Sequence, residues 1–216
     1  MLEPYTAGLL VDYYESFLRD QDLNAFRRSV LARYTEATLA RLVKNGNPPA
    51  RRAAVLALGL IGGMSCNAVV AGALKDPDPS VRGLASGALW AIWFRAGRPE
   101  DNATLEEIHE LISRGRYEEA EELATRLIRR APEFAEAHNQ RAIAEYFQGR
   151  LADSAADCLR TLELNPYHIG ALSGLGQCYI RMGERTKALE TYRRALELQP
   201  YSETLRELIV QIEQPD

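Results

Sequence analysis

Three histidines, three cysteines and a surplus of carboxylates are the side chains here with the means to do chemistry, and their spacing decides whether they can. His109, His138 and His168 could bind a metal or move protons, but none has a Cys, Asp or Glu partner at metal-ligand spacing. Cys66, Cys158 and Cys178 lack C-x-x-C spacing, which argues against a zinc site or a disulfide framework and reads as buried thiols. The glycines of "LGLIGGMS" end a helical pattern with no Lys-Ser/Thr after them, so they are not expected to cradle phosphate. The glutamates of "YEEAEEL" read as a charged helix surface. The sequence therefore predicts a protein that is not an enzyme and has no metal or cofactor.

The elements that carry these side chains come from an ordinary soluble composition. The chain has 216 residues, 46% apolar and 26% charged, enough for one or two packed domains. Its first residues lack a basic start, and Asp12 and Glu15 interrupt the first apolar stretch, so we expect neither signal peptide nor membrane span, and a cytoplasmic location. Residues 1–99 hold 12 Lys and Arg against 8 Asp and Glu, and the remainder holds 14 against 22. The arginines of the basic half are spread out, without a dense run, so solvated helix faces are expected and nucleic acid is not.

A period of 34 residues organises the second half. Pro132, Pro166 and Pro200 keep that step, as do Gly115, Gly149 and Gly183, and Ala103, Ala137 and Ala171. Amphipathic stretches of helix length lie between these marks, for example "ALSGLGQCYIRM" and "ERTKALETYRRALEL". The unit is helix, glycine turn, helix, proline turn: glycine can take the left-handed conformation that reverses the chain, and proline cannot continue a helix. The segment "LELNPYHIG" is one such proline turn, so Asn165, Tyr167 and His168 read as turn residues and not as a polar site.

On these residues the second half resembles the tetratricopeptide repeat family, with repeats at 101–134, 135–168 and 169–202. Leu172, Leu175, Gly176, Tyr179, Ala188, Tyr192, Ala195 and Pro200 stand at the family steps of the third repeat; the second keeps Ala142, Tyr146, Ser154 and Pro166. The first departs at Glu107 and Ile108 but keeps Ala120 and Pro132. The resemblance implies that Gly176 and Ala188 are packing positions and that "YSETLRELIVQIEQPD" forms a capping helix. It also implies a concave groove lined by the first helix of each repeat, at Leu105, His109 and Ile112, then Asn139, Ile143 and Tyr146, then Ser173, Gln177, Ile180 and Arg181. The family's carboxylate clamp for acidic chaperone tails would need Lys, Asn and Arg where this chain has Leu105, His109, Gln140, Gly170 and Gly174, so that ligand is not expected.

A second period, of 31 residues, runs through the first half. It pairs Lys44 with Lys75, Pro48 with Pro79, Arg51 with Arg82, Ala54 with Ala85, Ala57 with Ala88, and Ile61 with Ile92. The run "KDPDPSVRGLASGAL" resembles a HEAT repeat of the short type found in phycobilisome lyases, with an Asp/Pro turn opening a helix whose alanines pack flat. Upstream, "DLNAFRRSVLARY" is expected to supply the first helix of the earlier unit and "YTAGLLVDYYESFL" a cap. Trp90, Trp93 and Phe94 form an aromatic helix face, read as a plug where the two arrays join in preference to a binding hot spot.

The expected architecture is an all-α, right-handed α-solenoid: residues 1–99 carry helices and HEAT-like repeats, and residues 100–216 carry three tetratricopeptide repeats and a cap. The expected function is an interaction scaffold holding a protein or peptide segment in the groove, with a permanent structural subunit or assembly factor as the alternative. Bilin attachment or DNA binding, known among HEAT-like proteins, would need a larger array than two repeats. Membrane and small-molecule partners are not expected.

Overall fold

The computed structural model describes residues 4–214, with side chains from Gly8 onward. These residues form thirteen α-helices and no strand, in keeping with two helix-compatible periods. Residues 1–3 and 215–216, which the predicted domain ranges include, lie outside the described residues. The chain divides into two compact units, Met1–Trp93 and Phe94–Asp216.

In the first unit, α1 (Pro4–Asp20) and α2 (Leu23–Leu31) pack on each other and on α4 (Pro48–Ile61). The Tyr14, Phe17 and Phe26 rings meet between α1 and α2 at 5.9–6.5 Å. The helix that pairs with α4 is α3 (Glu36–Asn45), so the 31-residue unit is already complete in α3 and α4. This corrects the expectation for "DLNAFRRSVLARY": α2 belongs with α1 and is not the missing first helix. Thr35 and Asn47 open α3 and α4, their side chains accepting the Thr38 and Ala50 N–H groups.

The next unit has a short first helix, α5 (Asn67–Gly72), flanked by 3-10 turns at Met64–Cys66 and Ala73–Lys75, and a long second one, α6 (Pro79–Phe94). Its 31-residue step repeats a polar device. Arg51 donates to the Gly46 carbonyl at 3.0 Å and Arg82 to the Asp76 carbonyl at 2.8 Å, each holding the turn before its own helix. Arg51 also forks onto the Asp76 carboxylate at 2.7 and 2.9 Å, tying one repeat to the next. A Cβ on Gly59 would lie 2.9 Å from the Ala88 Cβ, so α4 and α6 touch through small residues, as the alanine pattern predicts. Trp93 is 2% exposed, stands edge-on to Trp90, and donates its indole N–H to Asn67 at 2.9 Å. It is a core residue and not an open hot spot.

The division between units falls at residues 93 and 94, ahead of the predicted 99 and 100. Phe94 packs with the apolar cluster built from Leu105, Ile108, Ala120, Ala124 and Leu127, which draws it into the second unit.

The second unit comprises three helix pairs and a single helix. The pairs are α7 (Pro99–Ser113) with α8 (Tyr117–Arg130), α9 (Ala135–Phe147) with α10 (Leu151–Leu164), and α11 (Ile169–Arg181) with α12 (Arg185–Leu198); α13 (Glu203–Glu213) follows. Gly115, Gly149 and Gly183 have φ of +73°, +80° and +76°. At each, the glycine N–H donates to the carbonyl three residues back and the next residue's N–H to the carbonyl five back, as in Arg150 to Glu145 at 2.9 Å. One Schellman turn is thus used three times, which is the physical content of the glycine clock. Ser202 opens α13 by accepting the Leu205 N–H.

Two apolar clusters fill this unit. One surrounds Leu105, Ile108 and Leu127; the other runs from Ala142 through Leu172, Leu175 and Tyr192 to Leu205 and Ile212 of α13. Gly176 is needed where α11 meets α12, because a Cβ there would lie 2.5 Å from the Tyr192 ring. Cys66, Cys158 and Cys178 are free, buried thiols, and burial pushes all three up in pKa.

Candidate protein-interaction face

Within the second unit the first helices α7, α9 and α11 pack side by side, while each second helix packs against first helices before and after it. The first-helix layer is where the sequence places the groove. Its ten predicted residues divide into those that face outward and those the fold uses internally.

His109, Gln177, Ile180 and Arg181 are exposed, and Ile112, Ile143, Tyr146 and Ser173 are half-buried. His109 stands edge-on to Phe94 at 5.4 Å, and Ser173 donates to the Ile169 carbonyl at 3.0 Å. The Arg181 guanidinium lies 4.8 Å over the Tyr146 ring and donates to the Tyr146 carbonyl. Phe147, which the sequence reading passed over, is 57% exposed beside Tyr146 and stacks on Tyr117 at 4.8 Å.

Two of the predicted groove residues lie in the interior. Leu105 is fully buried in the first apolar cluster, because α7 buries the stripe Asp101, Leu105 and Ile108, leaving Glu107 in water. The departure of the first repeat at Glu107 and Ile108 is the trace of that turned stripe. Asn139 is also buried and belongs to a polar network absent from the expected set.

That network centres on Glu136. One carboxylate oxygen accepts the Asn139 and Gln140 amides, both at 2.8 Å, and the other faces His168 Nε2 at 2.8 Å. His168 Nδ1 accepts the Ala171 N–H at 2.9 Å and so caps α11. With Nδ1 used as an acceptor, the ring proton resides on Nε2 and points at Glu136, giving a neutral imidazole and a carboxylate held by three donors. His168 is thus a turn residue, as "LELNPYHIG" predicts, and also a buried tie between two repeats. No sequence signal pairs it with Glu136, since the partners stand 32 residues apart.

A second polar cluster lies between α9 and α10. Arg141 forks onto Asp157 at 2.5 and 2.8 Å, with His138 Nδ1 3.4 Å away. Burial pushes the Asp157 carboxyl up, but the bonds from Arg141 and His138 outweigh it and hold it below the usual range. Glu145 receives no such help: its Oε1 is 3.9 Å from Arg141, its Oε2 has no partner, and burial beside the Asp157 charge raises its pKa to about 7. Both clusters lie within the helix stack, the first buried and the second half-buried only at Arg141, and tie neighbouring helices together. Among the described residues, no group of three or more His, Cys, Asp or Glu is placed to hold a metal ion. None of the described helices is long and apolar enough to cross a membrane.

Comparison with known proteins agrees with this geometry. Residues 105–169 and 170–202 match tetratricopeptide repeat models, and residues 35–129 match a HEAT repeat model. The HEAT match runs into the first tetratricopeptide pair, both being helix hairpins. A TPR repeat-containing protein of Rhizobium etli is 24% identical over 135 residues, 62% of this chain and 66% of that protein. Hsp70-Hsp90 organizing protein 1 of Glycine max is 32% identical over 97 residues, 45% of this chain and 17% of that protein. The chain thus spans less than two thirds of either relative. The TPR2AB domain of yeast Sti1, solved in complex with pHSP90, matches at a TM-score of 0.51 with 19% identity, covering 97% of this chain and 85% of that one. The chain is a tetratricopeptide repeat protein whose first half carries HEAT-type repeats.

Proposed function

We propose that the chain is a non-catalytic adaptor that holds a segment of another protein on the first-helix face of its tetratricopeptide repeats. The observation that carries this reading is the outward set His109, Phe147, Gln177 and Ile180, exposed apolar and polar side chains on three adjacent helices of one layer. Such a face suits an apolar or amphipathic segment. A relative named an Hsp70-Hsp90 organizing protein and a neighbour solved in complex with pHSP90 support the holding of a protein partner in general. An acidic chaperone tail is not the ligand we favour, because two of the clamp positions hold the buried Leu105 and Gln140, and Gln140 already serves Glu136.

The test is affinity capture from a lysate, followed by mass spectrometry, with the chain and with a variant carrying His109→Ala, Phe147→Ala and Gln177→Ala. The variant should melt as the parent does and recover about tenfold less partner, a loss of about 1.4 kcal/mol. Undiminished recovery would move the interaction to another face. Stoichiometric, salt-resistant recovery would mark a permanent subunit of a larger complex.

A further inference from the structure

The first unit carries an open groove of about 490 Å³ that the adaptor reading does not use. Val43 at the end of α3, Val69 in α5 and Ala73 after it give the groove apolar walls, while Lys44 and Lys75 line it as exposed cations. The two lysines hold matching places in the 31-residue period, so successive repeats each supply one cation to the same groove. Arg41, exposed one turn before Lys44 on α3, adds a third beside it. Asp76 also lines the groove, but Arg51 forks onto its carboxylate at 2.7 and 2.9 Å and offsets its charge locally.

A groove with cations along its edge suits a helix surface that brings carboxylates one turn apart. The chain itself presents such a surface in "YEEAEEL", at the start of α8. Glu119 is held there by Arg116, and Glu121 by Arg150 and Gln148. Glu118 and Glu122 are exposed beside them, one helical turn or about 6 Å apart. The same division of sign runs through the chain: residues 1–99 hold 12 Lys and Arg against 8 Asp and Glu, and residues 100–216 hold 14 against 22. Halves of opposite sign attract between copies and halves of like sign repel, which favours a head-to-tail encounter.

We infer that this groove receives the start of α8 from a second copy of the chain, with Lys44 and Lys75 pairing with Glu118 and Glu122. Groove and helix are different surfaces, so the contact is heterologous, and each copy in a pair keeps one of the two surfaces for a further copy. The inference does not rest on the adaptor reading, because α8 is a second helix and the face proposed for the partner belongs to the first helices.

The experiment is analytical sedimentation of the full chain over a range of protein concentrations, in low and in high salt. The mass should rise with concentration in low salt and return to that of the monomer in high salt, since exposed ion pairs are screened. Lys44→Glu with Lys75→Glu should weaken association about tenfold, and so should Glu118→Lys with Glu122→Lys. An equimolar mixture of the two variants should associate again, because each reversed surface then meets its complement. Misfolding would not be rescued by mixing, and all four substituted side chains are exposed. A monomer at every concentration, an effect from only one of the two reversals, or variants that stay apart when mixed would overturn the inference. The His109, Phe147 and Gln177 variant should self-associate as the parent does, so the two readings can fail separately.

Discussion

A buried carboxyl with one oxygen unpartnered sets a pH response in the second unit. Glu145 is 6% exposed, and its pKa is raised from 4.5 to about 7 by burial and by the Asp157 charge, which Arg141 serves in preference. The folded state therefore binds more protons than the unfolded chain between those values, and stability contributed by the protonated form is lost as pH rises through that window. Glu145→Gln should be more stable than the parent at pH 8 by on the order of 2–3 kcal/mol and nearly equal to it at pH 4. Melting curves that stay parallel across this range would show that Glu145 is charged at no cost. Such pairings were invisible in the sequence. The turn role of His168 could be read from the proline beside it, but its bond to Glu136 depends on two repeats coming together. Arg141 and Asp157 likewise sit on different helices, and no local spacing announces them.

The helices and their turns were the legible part, because the residues that make them act locally. Glycine is needed at positive φ at residues 115, 149 and 183, and proline stops the helix that follows, so both leave a fixed period. Gly149 meets nothing within 4 Å of an added Cβ, so Gly149→Ala should cost about 1 kcal/mol through backbone strain alone. Ala188 is fully buried between α11 and α12, so Ala188→Leu should cost about 1–3 kcal/mol by overpacking. Chemical denaturation would measure both, and equal costs near zero would mean the repeats tolerate more volume than their packing implies. Where the periodic pattern weakens, the sequence misled. The turned stripe of α7 moved Leu105 inward, and the earlier 31-residue unit already contained its first helix in α3.

At the scale of the molecule, two repeat types share one chain, and each builds its own contacts between successive units. In the first, Arg51 bridges to Asp76; in the second, His168 bridges to Glu136. These ties leave the first-helix layer of the second unit as a firm surface with outward apolar and aromatic side chains, and the adaptor reading depends on that layer holding the partner. The most direct measurement is photo-crosslinking in cells with a benzophenone amino acid placed at Gln177, on the first-helix layer, or at the exposed Leu159 on α10. The account predicts a discrete crosslinked partner from position 177 and none from 159. A partner captured from 159 alone, or from neither position, would contradict it.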